Sequence, residues 1–171
     1  GAVVARRGGG VRPGAKPGKS NHSMKTAVVG LGYVGLPLSL QFARSGVTVL
    51  GLDVDPAKVE ALLAGQSYIK HISSAEVAAL VKSGHLSAST DFGRIREVEA
   101  VIICVPTPLN KNREPDLSFI LETGRSIARH LQKGMLVVLE STTYPGTTDE
   151  DLRAVLENGS GLKAGQDFHL A

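Results

Sequence analysis

Short apolar runs alternate along this chain with longer stretches in which apolar residues recur at helical spacing. The runs fall at residues 27–29, 47–52, 100–105 and 136–139. Apolar runs of this length predict strands covered on both faces. A helix is predicted over 36–45. Asp55, with Pro56 behind it, starts a second, whose buried stripe is Val59, Leu62 and Leu63 and whose end is Gly65. Ser73 and Glu76 have the spacing of a capping box for a third, with Val77, Leu80 and Val81 inward and Gly84 at its end. Residues 86–90 fit a short strand. Asp116 is placed to cap a helix carrying Leu117, Ile120, Leu121, Ile127, Ala128 and Leu131 inward and ended by Gly134. Thr147 or Thr148 caps the last helix. Its first turn holds Asp149, Glu150 and Asp151, matching the helix dipole, and its inward positions are Leu152, Val155 and Leu156. Phe168, His169 and Leu170 read as a strand just beginning.

Strands alternating with helices predict an α/β fold, a doubly wound parallel sheet of Rossmann-like order 3-2-1-4-5 with room for a sixth edge strand. Ligands of such sheets lie beyond the carboxyl ends of the strands, where the order reverses. Three loops should converge there: 30–35, 106–110 and 140–146. The first has a chemistry of its own. Gly30, Gly32 and Gly35 follow the first strand and open onto the first helix, and Asp53 ends the second strand 23 residues after Gly30. This is the spacing of a dinucleotide site. Gly30 permits the tight turn, Gly32 lets a pyrophosphate approach the backbone, and Gly35 lets the helix lie close to the sheet. The helix N-terminus offers unpaired N–H groups to the phosphates. A carboxylate at Asp53 suits the adenosine ribose hydroxyls and repels a 2′-phosphate. No arginine stands at 54–57 to reverse that preference, so the cofactor reads as NAD rather than NADP.

Composition narrows the class. With 171 residues, 42% hydrophobic and 20% charged, the chain is of one-domain size and of globular composition. No apolar stretch approaches the ~20 residues of a membrane span. The single cysteine, Cys104, leaves no partner for an intrachain disulfide and suits a reducing cytoplasm. It reads as a protonated thiol packed inside the fourth strand. The net charge of +3 traces to the first 23 residues, which hold five basic residues and no acid. Residues 1–23 read as a disordered basic leader or a tag, and 24–171 as the folded unit. Without aromatic residues to stack on bases, the leader does not read as a nucleic-acid arm. His22, His71, His85, His130 and His169 have no metal-ligand spacing.

Three motifs in order carry a resemblance: Val29-Gly30-Leu31-Gly32-Tyr33-Val34-Gly35-Leu36-Pro37, then Cys104-Val105-Pro106-Thr107-Pro108, then Glu140-Ser141-Thr142-Thr143-Tyr144-Pro145-Gly146-Thr147-Thr148. Over 24–171 the chain resembles the UDP-glucose/GDP-mannose (nucleotide-sugar 6-dehydrogenase) family. The segment from Arg113 to Ser118 looks most like its UDP-N-acetylhexosamine branch, with UDP-glucose the alternative substrate. The resemblance implies a cytoplasmic enzyme, homodimeric at full length, that oxidises the C6 alcohol of a UDP-sugar to the carboxylate with two NAD. It implies pyrophosphate contacts at Gly30, Gly32, Tyr33, Val34 and Gly35, ribose contacts at Asp53 and Lys58, and a cofactor trough at Pro106 and Thr107. It further implies that Thr142 positions the catalytic water beside the nicotinamide, with Ser141 next to it. Without the resemblance, Thr107 and Thr142 read as ordinary loop residues. The family's catalytic cysteine, lysine and asparagine would follow beyond residue 171, so this stretch should bind NAD without completing the reaction. Tyr68, in a segment that resembles the family's, is assigned to packing. Two other readings stand beside this one. A stand-alone nucleotide module would lack catalysis. A dehydrogenase of small hydroxy acids shares the glycine turn but not the Glu140-Ser141-Thr142 loop.

Overall fold

The structure, a computed structural model, describes residues 24–140 and 147–171. Its strands are β1 (Lys25–Val29), β2 (Thr48–Leu52), β3 (Leu86–Ser89), β4 (Ala100–Ile103), β5 (Leu136–Leu139) and β6 (His169–Leu170). All pair in parallel, in the order β3-β2-β1-β4-β5-β6. The doubly wound sheet read from the sequence is therefore present, with its sixth edge strand. The helices are α1 (Gly35–Arg44), α2 (Pro56–Leu63), α3 (Ser74–Lys82), α4 (Ser118–Ala128) and α5 (Thr147–Ser160).

Alternation along the strands sorts the core into two layers. Val28, Val49 and Ile102 face α1, α2 and α3, where Leu36, Leu40, Val59, Leu62 and Val77 close the layer. Ala27, Val29, Leu50, Leu52, Val101 and Ile103 face the other way, onto Ile120 and Ile127 of α4 and Leu152 and Leu156 of α5. The caps are those the sequence spells. The Asp55 side chain accepts the Ala57 N–H at 2.9 Å with Pro56 behind it, and Ser73 Oγ accepts the Glu76 N–H at 3.2 Å.

Five features differ from expectation. A 3₁₀ segment, Phe92–Glu97, links β3 to β4 where no element was expected; Ile95 anchors it in the core. β4 ends at Ile103, so Cys104 lies just beyond the strand, although its N–H still donates to the Val29 carbonyl at 2.7 Å. α4 ends at Ala128, well before Gly134. The chain turns there, with the His130 N–H on the Ile127 carbonyl, yet Leu131 remains buried. Asp116 precedes α4 by two residues and still serves its first turn, accepting the Ser118 N–H at 2.9 Å. β5 is only half covered: Val137 is buried in the layer of α4 and α5, whereas Leu136, which alternates to the other face, is 37% exposed. The cap assigned to Thr147 or Thr148 lies outside what the structure describes.

Candidate functional site

The site is built on the turn between β1 and α1. The Gly30 N–H donates to the Leu52 carbonyl at 2.8 Å, which ties the turn to the end of β2. Gly30 has φ +94°, and a Cβ there would lie 2.7 Å from the Cys104 carbonyl oxygen. Two constraints thus select glycine, one conformational and one steric. Gly35 is constrained by the turn itself, since a Cβ would stand 1.6 Å from the Gly30 oxygen. Gly32 is the opposite case: nothing lies within 4 Å of where its Cβ would be. Its bareness leaves open space over the backbone.

α1 starts without a protein cap. Val34, at the N-cap position, makes no side-chain bond, and the first turn holds no acid. The N–H groups of Gly32, Tyr33, Val34 and Gly35 have no acceptor among the described residues. Four orphan donors and the positive end of a helix dipole therefore lie together at the start of α1, an arrangement that suits phosphate oxygens.

Asp53 closes the adjacent side. It is 8% exposed, and its carboxylate is already engaged, accepting the Leu31 N–H at 2.8 Å and the Asp55 N–H at 2.9 Å. Each oxygen keeps acceptor capacity for a further donor. The hydroxyl of Tyr68 donates to the Leu31 carbonyl. Burial, and then the neighbouring Asp53 and Asp55 charges, push the Tyr68 phenol above its ordinary range.

The turn and Asp53 border a cleft of about 1110 Å³ above the carboxyl ends of β1, β2, β4 and β5. Of the residues selected from sequence, Gly30, Gly32, Tyr33, Val34, Asp53, Lys58, Pro106 and Thr107 all line it. Gly35 is buried behind the turn and does not. Ser141 and Thr142 lie outside the described residues. Cys104 is the buried thiol expected, but it also reaches the cleft. It is 8% exposed and borders the cleft; burial first, then the Glu140 carboxylate, pushes its pKa up to about 11. Glu140 itself stands at the end of β5 with its N–H on the Ile103 carbonyl.

The sequence reading missed a whole wall. Phe92 and, from α4, Phe119, Thr123 and Ser126 line the cleft, as does Val54, which is 82% exposed. The signal was available: residues 118, 119, 122, 123 and 126 repeat on the helix face opposite Ile120 and Ile127. The charged residues bordering the cleft are Asp53, Asp55, Glu122 and Glu140 against Lys58. Carboxylates thus outnumber cationic side chains around the cleft four to one.

Residues 24–171 match the family described as UDP-glucose/GDP-mannose dehydrogenase family, NAD binding domain. The chain belongs to that family. Among curated relatives, UDP-N-acetyl-D-glucosamine 6-dehydrogenase of Pseudomonas aeruginosa is 39% identical over 145 residues, covering 85% of this chain and 33% of the relative. UDP-N-acetyl-D-mannosamine dehydrogenase of Pyrococcus horikoshii is 38% identical over 152 residues, covering 86% and 35%. Among solved structures, NDP-N-acetyl-D-galactosaminuronic acid dehydrogenase of Methanosarcina mazei superposes with a TM-score of 0.81 at 38% identity, covering 88% of this chain and 34% of that one. The chain spans about a third of the length of the relatives it matches.

The family's cofactor fits the residues present. Orphan amides, an open backbone at Gly32 and a carboxylate beside them meet the needs of a dinucleotide's pyrophosphate and ribose. Among the described residues no helix is long and apolar enough to cross a membrane.

Proposed function

We propose that this chain is the cofactor-holding part of a nucleotide-sugar 6-dehydrogenase that oxidises the C6 alcohol of a UDP-N-acetylhexosamine to the carboxylate with two NAD. One observation carries the cofactor half of that reading. Four adjacent N–H groups at an uncapped helix start stand beside a carboxylate that ends the next strand. The amides of Gly32, Tyr33 and Val34, on a turn shaped by Gly30 and Gly35, hold the pyrophosphate. Asp53 takes the adenosine ribose, with Lys58 near it on the same wall. Pro106 and Thr107 border the trough, and Ser141 and Thr142 stand near the nicotinamide. When bound, NAD supplies the hydride acceptor. The chain's own groups orient it and, at Asp53, refuse a 2′-phosphate.

The names of the relatives support this choice of sugar: the P. aeruginosa and P. horikoshii proteins are named for UDP-N-acetylated hexosamines. UDP-glucose is the second reading, favoured by a UDP-glucose dehydrogenase of Pyrobaculum islandicum at 33% identity and a TM-score of 0.78. In this proposal residues 24–171 form the NAD unit, residues 1–23 a basic leader, and the complete enzyme is a cytoplasmic homodimer.

Calorimetric titration of the chain with NAD, and with NADP in parallel, tests the cofactor assignment. Saturable NAD binding with NADP weaker by about tenfold or more is expected, the size of one charge-assisted contact exchanged for a repulsion. Equal affinities would overturn the Asp53 assignment, and no binding by the folded chain would overturn the site. Mixed with NAD and any of the UDP-sugars, the 171-residue chain should form no NADH. Turnover would place the catalytic groups within these residues instead.

A further inference from the structure

We infer that Tyr68, from the loop between α2 and α3, is a positioning residue for the dinucleotide turn and acts through the Leu31–Gly32 peptide. The inference rests on the NAD reading of the turn. Leu31 is fully buried, and each of its handles is gripped from outside the turn. Its N–H donates to Asp53 at 2.8 Å, and its carbonyl accepts the Tyr68 hydroxyl. Its side chain keys into a notch in β2 that exists because residue 51 is glycine. A Cβ on Gly51 would lie 2.8 Å and 3.0 Å from the two Leu31 methyl carbons.

Peptide planarity carries this grip to the ligand. The Leu31 C=O and the Gly32 N–H belong to one trans peptide, so they point in opposite directions. Holding the oxygen with Tyr68 therefore aims the Gly32 N–H, one of the four orphan donors, away from Tyr68. An ungripped glycine peptide would rotate readily, because glycine accepts most backbone angles. Tyr68 is itself held: its neighbour Ser67 bonds the Ser74 hydroxyl through its N–H and the Ile69 carbonyl through its own Oγ, each at 3.0 Å. Burial and the two nearby carboxylates keep the phenol protonated, so it remains a donor throughout the neutral range. Asp53 has two tasks in consequence. The carboxylate proposed to take the ribose also holds the turn that takes the pyrophosphate, and Tyr68 completes the hold from the other side of the same peptide.

The test is Tyr68→Phe in the 171-residue chain, which removes one hydroxyl and keeps the ring. NAD is titrated by calorimetry. Adenosine, which has the ribose but no phosphate, is titrated by amide shift changes. Amide exchange at Gly32 is followed without ligand. The expected result is a Kd for NAD raised about three- to tenfold, the value of one hydrogen bond, with adenosine unchanged and Gly32 exchange faster. Gly51→Ala, which pushes on Leu31 from below, should give the same split. Unchanged NAD affinity, or equal losses for NAD and adenosine, would overturn the inference, since a merely structural tyrosine would not separate the two ligands. If the unmodified chain binds no NAD, the cofactor reading fails instead. The ligand-free exchange at Gly32 then still decides whether Tyr68 grips the peptide.

Discussion

The loop after β1 and the loop after β4 border the same cleft, but they satisfy their backbones in opposite ways. The first is held from outside, by the Leu52 carbonyl, Asp53 and Tyr68, and leaves four N–H groups unspent. The second closes on itself. The Asn110 side chain accepts from the N–H groups of Asn112 and Glu114, the Asn110 N–H donates to the Glu114 carbonyl, and Arg113 adopts φ 60° to complete the turn. An antiparallel bridge between Leu109 and Pro115 seals its base, with the Asp116 N–H on the Pro108 carbonyl at 2.7 Å. A loop that consumes its own donors can shape a cleft but has little left to bind with. A loop anchored by its neighbours keeps its donors for a ligand.

The comparison breaks most sharply at the glycines. Gly35→Ala places a methyl against the Gly30 oxygen and should destabilise the chain by about 3 kcal/mol or more, read as a shift in the urea midpoint. Gly32→Val meets open space, so it should leave that midpoint nearly in place and abolish measurable NAD binding. If both glycines behave alike, the division between scaffold and open backbone is wrong. Asp53→Asn comes next, with NAD affinity reduced by about 1–2 kcal/mol from the loss of a charged acceptor; an unchanged calorimetric Kd would remove Asp53 from the site. Asn110→Ala strikes the self-closed loop. It should cost about 1 kcal/mol of stability, as capping side chains do, and leave NAD affinity untouched. A matching loss of affinity would show that this loop binds as well as shapes.

The smallest effect is confined to high pH. Cys104, where the two loops meet, has a pKa raised to about 11 from an ordinary 9.0. Between those values the unfolded chain holds fewer protons than the folded one, so stability falls as pH rises. The contribution is intact below about pH 9 and gone above about 11. Urea midpoints measured across that window should decline less in Cys104→Ala than in the unmodified chain. Equal slopes would show that the thiol is not shielded.

Much of this was legible in the residues, for reasons that differ by element. β1, β2 and β4 are rich in apolar residues because helices cover both faces, and such runs declare themselves. Asp55 and Ser73 act within three residues of themselves, so their caps can be read locally. Tyr68 could not be read so: its hydroxyl meets a carbonyl 37 residues earlier, and a tyrosine in a loop has no period to betray its target. The α4 wall was overlooked for a different reason. Its inward stripe is marked by Ile120 and Ile127, while Thr123 and Ser126 on the far face look like any solvated surface until the fold sets that face against the cleft. The 3₁₀ segment was hidden because it is too short for periodicity, and Ile95 alone of its residues is fully buried.

The carboxylates around the cleft have a consequence for how the site responds to ionic strength. A phosphate held by lysine and arginine loses affinity as salt rises, because dissolved ions compete with and screen the pair. Here the anion is proposed to meet peptide groups, while Asp53, Asp55, Glu122 and Glu140 outnumber Lys58. Added salt would mute mainly repulsion. NAD affinity should change by no more than about twofold over a tenfold range of ionic strength, and any change should be toward tighter binding. Steep weakening in titrations at two salt concentrations would mean that side-chain cations, not the backbone, hold the cofactor.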